Sequence, residues 1–404
     1  MAGLAGLAIE KGYEVTGQDK AYYPPMSDQL ALLGIEENIS EDPIESLKKC
    51  DAVIIGNSQS RGNHSVEFTL NNNLNYYSGP EWLKENILNN KFVFVVAGTH
   101  GKTTTTSMLI KILQDNNCNP SFLVGGIFKE DNISYKYTDS KYFVIEGDEY
   151  DTSFFDKRSK FFHYKPDTLI INNLEYDHSD IFENIEQIKK QFHYLIRAMS
   201  SNANIIYHDD DKNVSSLLSM GCWSKKTIAR KLNDIANITG DHNLQNASSA
   251  ISAAKTIGIN ENNSISALEK FSGVKRRLEL IDNKKFILYD DFAHHPTAIA
   301  ATLRAVKNKH PEKKITTIFE VRSNSMISGA HKDNFYSSFD LTDELYIYCT
   351  KDSQWLKNSG DFIVYQDISV IINKICSSTE NVDVVILMSN GDTSHIINKL
   401  NKYE

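Results

Sequence analysis

Short apolar runs alternate along the chain with stretches of helical periodicity. Residues 13–19 (YEVTGQD) read as a strand ending in an acid, and 51–58 (DAVIIGNS) as another, followed by turn-like 60–63. Residues 76–88 read as a strand end, a turn at Gly79-Pro80, and a helix. Residues 91–96 (KFVFVV) form a continuous apolar run, which fits a parallel strand buried on both faces. A loop and an amphipathic helix follow. Further strands are predicted at 141–149, 167–173 and 202–208, with a helix over 185–199 between the last two. A helix over 243–258 ends on a glycine that suits a C-cap. Beyond Leu278 come strands at 285–291, 314–320, 343–348 and 382–391, with a helix from Pro296 to about Lys309 and another at the C-terminus. Strands alternating with helices predict an α/β fold with mostly parallel sheets. Breaks at Asn89-Asn90-Lys91 and near Leu278 divide it into three domains, 1–89, 90–277 and 278–404.

The chain has 404 residues, enough for two to four domains and a sizeable core. Its net charge of −9 argues against non-specific nucleic-acid binding, so a phosphate-bearing ligand needs a local electropositive site. No apolar run approaches the ~18 residues of a membrane span. The first residues carry no basic segment of the kind that opens a signal peptide. Five scattered cysteines contain no CxxC pair, which excludes a zinc ribbon or thioredoxin-like motif and suits a reducing cytoplasm. The expectation is a cytoplasmic protein with no nucleic-acid or membrane partner.

The strongest chemical signal is Gly98-Thr99-His100-Gly101-Lys102-Thr103-Thr104, between a buried strand and a helix. Glycines there let backbone N–H groups face phosphate oxygens, Lys102 would neutralise phosphate charge, and Thr103 would offer a hydroxyl to Mg²⁺. The loop is shorter than the common GxxxxGK[ST], because Val96 stands where the first glycine belongs. Next, Glu146-Gly147-Asp148-Glu149-Tyr150-Asp151 places four carboxylates within six residues at a strand end; they repel one another unless a cation sits there. Third, Asn172-Asn173-Leu174-Glu175-Tyr176-Asp177-His178 follows another strand, and His178 could ligate a metal or act as a base. Weaker candidates are GDHNLQN (240–246), Lys275-Arg276-Arg277, DDFAHHP (290–296) and RSNSM (322–326).

GTHGKTT, EGDEYD, NNLEYDH, GDHNLQNA, VKRRLE and DDFAHHPTA occur in the order found in the Mur ligases, and the chain resembles that family over nearly its whole length. The features YPPMS, GNSQSRGN, SGPEWL, FFDKRSKFFHY, GCWS, RSNSM and MSNG resemble the branch that adds the murein tripeptide L-alanyl-γ-D-glutamyl-meso-diaminopimelate to UDP-N-acetylmuramate in peptidoglycan recycling. The resemblance implies a Rossmann-like N-terminal domain for the UDP-sugar, a central P-loop-like ATPase domain, and a Rossmann-like C-terminal domain. It implies ATP and Mg²⁺, an acyl-phosphate intermediate, and closure around the nucleotide. By motif, Gly98, Thr99, His100, Gly101, Lys102, Thr103 and Thr104 would bind the ATP phosphates, with Lys102 and His178 catalytic. Thr103, Glu149 and His178 would serve Mg²⁺. His242, Asn243 and Asn246 would lie near the nucleotide, with Asn243 or Asn246 near adenine. Arg277 would reach the phosphates, and Asp291 would contact the nucleotide with His294 nearby. Arg322 and Asn324 are candidates for the peptide's carboxylates; Asp19, Asn57, Ser58 and His294 complete the substrate set.

Three departures from the family pattern follow. The first strand and most of the glycine-rich pyrophosphate loop do not precede Met1-Ala2-Gly3-Leu4, so either the start lies upstream or UDP binding is impaired. The stretch between Trp223 and Gly240 is short, which predicts lost strands in the central domain. No lysine in QIKKQFHYLIRAM matches the carbamylated lysine of some relatives. The alternatives to the tripeptide reading are an L-alanine-adding ligase and a non-catalytic nucleotide-binding relative.

Overall fold

The computed structural model describes residues 1–19, 26–35, 43–129, 133–232, 234–358, 363–377 and 382–402. They gather into two compact units. One comprises Met1–Glu175, Ile185–Ala236 and Gln245–Ser272; the other comprises Tyr176–Asn184, Asn237–Leu244 and Gly273–Glu404. The expected break at 89–91 therefore lies inside the first unit.

In the first unit β1 (Val53–Ile55) and β2 (Tyr76–Ser78) pair in parallel. A seven-stranded sheet follows, from β3 (Phe92–Ala97), β4 (Ser121–Leu123), β5 (Tyr135–Lys136), β6 (Tyr142–Gly147), β7 (Thr168–Ile171), β8 (Asn204–Tyr207) and β9 (Lys225–Ile228). Its order is β5-β4-β6-β3-β7-β8-β9, parallel except for the β4–β5 pair. The unbroken apolar run of β3 follows from its central place: Phe94, Val95, Val96 and Ala97 are fully buried. Helix Lys102–Asp115 buries Met108, Leu109, Ile112 and Leu113, and helix Ile185–Ala198 buries Ile188, Phe192, Leu195 and Ile196 at helical spacing. Fully burying such a side chain contributes about 1.5–3 kcal/mol before entropy is counted. At the far edge all four residues of β9 are exposed, Lys225 and Lys226 among them.

The second unit carries a six-stranded sheet of β10 (Glu279–Ile281), β11 (Ile287–Asp291), β12 (Ile315–Glu320), β13 (Glu344–Tyr348), β14 (Val364–Tyr365) and β15 (Val384–Met388). The order is β10-β11-β15-β12-β13-β14, with only β10–β11 antiparallel. β15 shows why its sequence is apolar throughout. Val384, Ile386 and Met388 join one core with Ile299, Leu303 and Val306 of helix Pro296–Lys309. Val385 and Leu387 join another with Ile371, Ile372 and Ile396. Residues two apart share a face, and both faces are covered.

Two local expectations are corrected. Residues 13–19 form no strand: Glu14, Thr16 and Gln18 alternate polar, and no described strand lies alongside. Tyr13 instead sets its ring edge-on to Trp82, with centroids 5.4 Å apart, and donates its hydroxyl to Asn86 Oδ1 at 3.0 Å. Gly79-Pro80 is a helix start rather than a turn. Ser78 caps helix Gly79–Leu83, accepting the Glu81 N–H, while Glu81 Oε2 accepts the Ser78 N–H at 3.0 Å and its hydroxyl at 2.7 Å. Proline fits the first helical turn because its missing N–H would have no partner there. Among the described residues no helix is long and apolar enough to cross a membrane.

Candidate active site

Three parallel strand ends define the centre of the first unit. β3 runs into Gly98–Gly101, its neighbour β6 into Asp148 and Glu149, and its other neighbour β7 into Asn172 and Asn173. Loops at the carboxyl ends of adjacent parallel strands are where α/β proteins place ligands. Gly98 has φ +127°, and a Cβ there would lie 2.8 Å from the Asn173 carbonyl oxygen. Gly101, at φ +78°, heads helix Lys102–Asp115; a Cβ would lie 2.3 Å from Asn246 Oδ1. Both positions require glycine for backbone conformation and for space. Gly101 offers no side chain to cap this helix, and the positive end of the helix dipole there suits an anion.

Asparagines brace the loop. The His100 N–H donates to Asn173 Oδ1 at 2.8 Å, and Asn173 Nδ2 donates to the His100 carbonyl at 3.2 Å. Asn172 Nδ2 reaches Thr105 Oγ1 at 2.8 Å and Asn246 Oδ1 at 3.3 Å. Asn246 is expected here from its motif; Asn172 and Asn173 open the third motif without an expected role, marked only as a polar pair ending an apolar strand. Thr99 Oγ1 accepts the Glu175 N–H at 2.9 Å, and His100 Nε2 lies 3.4 Å from Glu175 Oε2. Thr104 is half-buried in the first helical turn.

Lys102 Nζ donates to the Gly98 carbonyl at 2.7 Å and to both Glu149 oxygens at 2.9 and 3.0 Å. Burial alone would lower the pKa of its ammonium group, but Glu149, Asp148 and Glu146 outweigh it and hold the value above the ordinary one. Asp148 pairs with Lys160 at 2.7 Å. Thr103 Oγ1 donates to Glu146 Oε2 at 3.3 Å. The hydroxyl of Thr103 with the carboxylates of Glu146 and Glu149 gives an all-oxygen donor set, which suits a hard divalent cation. Asp19, Asn57 and Ser58 are exposed, the last two in the turn after β1.

The other expected residues belong to the second unit. Arg276 and Arg277 hold their guanidinium carbons 5.4 and 4.6 Å from the centre of the Phe292 ring. Arg276 Nε also donates to Asp290 Oδ2 at 3.2 Å and Nη2 to the Ser389 carbonyl at 2.7 Å. Asp291, expected at the nucleotide, accepts from the Leu278 N–H at 2.6 Å, the Ala293 N–H at 2.8 Å and Thr302 Oγ1 at 3.2 Å. It thus ties the start of the unit to β11. Burial lowers the pKa of His242 against the opposing pull of Asp291 and Asp241. Asn243 Nδ2 donates to the Thr239 carbonyl at 2.9 Å. His294 Nδ1 lies 2.9 Å from the Phe292 carbonyl. Arg322 is half-exposed, 3.6 Å from Glu320, while Asn324 Nδ2 donates to Asp180 Oδ2 at 3.1 Å. His178 sits at φ +55°.

Family models match most of the chain in three pieces: the Mur ligase family catalytic domain over 1–91, the Mur ligase middle domain over 96–229, and the Mur ligase glutamate ligase domain over 276–391. Two relatives are each named UDP-N-acetylmuramate–L-alanyl-γ-D-glutamyl-meso-2,6-diaminoheptandioate ligase. The Haemophilus influenzae protein is 38% identical, with 99% of this chain and 96% of that one covered. The Escherichia coli protein is 39% identical, with 99% and 95% covered. A crystal structure of a murein peptide ligase from Psychrobacter arcticus 273-4 superimposes with a TM-score of 0.74 at 35% identity, covering 100% of this chain and 96% of that one. The glycine loop, its lysine and the carboxylates around it are therefore those of a chain that belongs to the Mur ligase family.

Proposed function

We propose that this protein is an ATP-dependent ligase that joins L-alanyl-γ-D-glutamyl-meso-diaminopimelate to UDP-N-acetylmuramate, in peptidoglycan recycling. The observation that carries the substrate assignment is the 38–39% identity, over nearly full length, to two ligases named for that reaction. The loop geometry supports the chemistry. A carboxylate acylates an amine poorly, so transfer of the ATP γ-phosphoryl group to the lactyl carboxylate supplies a leaving group. The amino group of the tripeptide's L-alanine then attacks the acyl phosphate, and the tetrahedral intermediate collapses to amide and phosphate, ADP being the other product. The protein's part is positioning and charge neutralisation.

In this reading the loop from Gly98 to Thr104 and the helix start it leads into cradle the phosphates. Lys102 leaves Glu149 for the transferred group, where its positive charge opposes the charge developing on the phosphoryl oxygens. Thr103 and Glu149 are assigned to Mg²⁺, and His178 is assigned to it as well; the ion would screen the phosphates from the incoming carboxylate. His242, Asn243, Asn246, Arg277 and Asp291 are assigned to the nucleotide. Arg322, Asn324 and His294 are assigned to the peptide, and Asp19, Asn57 and Ser58 to the UDP-sugar. The three functional parts are assigned to 1–89, 90–277 and 278–404, with the cytoplasm as the compartment that holds ATP.

The test is ADP release with each substrate in turn. Release that needs both UDP-N-acetylmuramate and the tripeptide is expected. Equal turnover with free L-alanine would move the assignment to an L-alanine-adding ligase. Nucleotide binding with no turnover on either amine would mark a non-catalytic relative.

A further inference from the structure

His178 lies on a segment of the second unit, Tyr176–Asn184, that is fastened to helix Asn324–Ser328 by contacts spanning 144–149 residues of chain. The fastening straddles the histidine. Ser325, 4% exposed, donates its hydroxyl to Asp177 Oδ1 at 3.0 Å and accepts the Ser179 N–H at 3.3 Å. The same Asp177 oxygen accepts the His178 N–H at 2.7 Å. Two further contacts secure the far side: Ser179 Oγ lies 3.3 Å from Ser328 Oγ, and Asn324 Nδ2 donates to Asp180 Oδ2 at 3.1 Å. Between these anchors the backbone at His178 is left-handed. A residue with a Cβ adopts that conformation at a cost and keeps it only where its surroundings over-determine it. One buried hydroxyl that bonds both the residue before and the residue after is such a determinant. The His178 carbonyl, in turn, accepts the N–H groups of Ile181 at 3.0 Å and Phe182 at 2.9 Å, which sets the next turn.

We infer that Ser325 is a positioning residue for His178. It locks the strained turn from which the imidazole projects, so part of the Arg-Ser-Asn-Ser-Met motif serves the histidine rather than the peptide. The inference rests on the reading of His178 as a Mg²⁺ residue. Ser325 touches no reacting atom; it acts through Asp177 and Ser179. Partners that orient a metal-binding histidine typically change metal affinity about 10–100-fold when lost.

Two measurements on the full chain test it, using Ser325→Ala, Ser325→Thr and His178→Ala. The first is amide hydrogen exchange. Ser325→Ala should speed exchange at Ile181 and Phe182 while leaving β3 and β15 protected, and Ser325→Thr, which keeps the hydroxyl, should restore protection. The second is Mn²⁺ binding by electron paramagnetic resonance in the presence of the β,γ-imido analogue of ATP. Ser325→Ala should weaken it about tenfold, without changing metal-free binding of the analogue, and should add nothing in a His178→Ala background. Wild-type exchange in Ser325→Ala would overturn the clamp. Faster exchange with wild-type Mn²⁺ affinity would overturn the positioning role. If His178→Ala alone keeps wild-type Mn²⁺ affinity, the metal reading of His178 fails by itself, and the positioning role falls with it while the exchange result still judges the clamp.

Discussion

Replacing Lys102 with methionine keeps most of the apolar stem and removes the ammonium group, so it separates two roles of one charge. In the structure that charge meets three oxygens within 3.0 Å: the Gly98 carbonyl and both oxygens of Glu149. The Glu149 side chain is 4% exposed and that of Lys102 17%. Removing one partner of a buried pair costs about 3–5 kcal/mol because the other charge is stranded. With Lys102 partly open to solvent, a loss of about 3 kcal/mol is expected, near the upper end for a charge-assisted hydrogen bond. The urea midpoint of the first unit should fall accordingly. Adding Glu149→Gln should recover most of that loss, because the stranded carboxylate is gone. Turnover should not recover. One preorganised charge on a developing oxyanion is worth about 10²–10³-fold in rate, so both variants should release ADP at least that much more slowly in a coupled assay with both substrates. The reasoning is refuted if the double variant is no more stable than Lys102→Met, or if Lys102→Met turns over within twofold of the parent.

Other consequences can be checked on the same preparations. Gly98→Ala would press a Cβ against the Asn173 backbone at positive φ; each left-handed or overpacked site costs about 1–3 kcal/mol, so the melting point should drop and analogue binding weaken in calorimetry. Ser78→Ala removes a buried capping box and should destabilise the protein by about 1–2 kcal/mol in urea, with no change in ATP affinity. Burial pushes Asp290 up to about 6, against the pull of Arg276. The folded state then binds a proton that the unfolded state releases near 3.8, so this group's contribution to stability declines as pH rises from about 4 to about 6, by about 3 kcal/mol for a two-unit shift. Urea unfolding of wild type minus Asp290→Asn should show that slope, and a flat difference would remove the assignment.

The phosphate loop was readable because each of its signals is local. A continuous apolar strand, glycines at the turn and Lys-Thr at a helix start are all adjacent in the chain. The parallel sheets were readable for a similar reason, since a strand buried on both faces must be apolar throughout, as β3 and β15 are. What failed was local evidence without its partner. Residues 13–19 have strand-like composition, but pairing needs a neighbour, and Tyr13 found Trp82 instead. Gly79-Pro80 carries turn residues, yet the Ser78–Glu81 spacing made them a helix start. At the site, Asn172 and Asn173 look like any polar strand end until Gly98 and Gly101 are placed against them. Ser325 could not be singled out, because its two partners lie 148 and 146 residues away along the chain. Asp291 was expected at the nucleotide on its motif; its three intramolecular donors emerge only when Leu278 and Thr302 are brought beside it.

The rim of the seven-stranded sheet carries one more implication. β9 offers a row of backbone groups to any extended segment that drifts alongside, which is how sheets of separate molecules fuse. Lys225 and Lys226 project from opposite faces of that row, so an approaching copy meets like charge whichever way it turns. Protection of this kind is electrostatic rather than steric, and concentrated salt would screen it; colloidal behaviour of the protein should therefore depend on ionic strength through two lysines remote from the glycine loop.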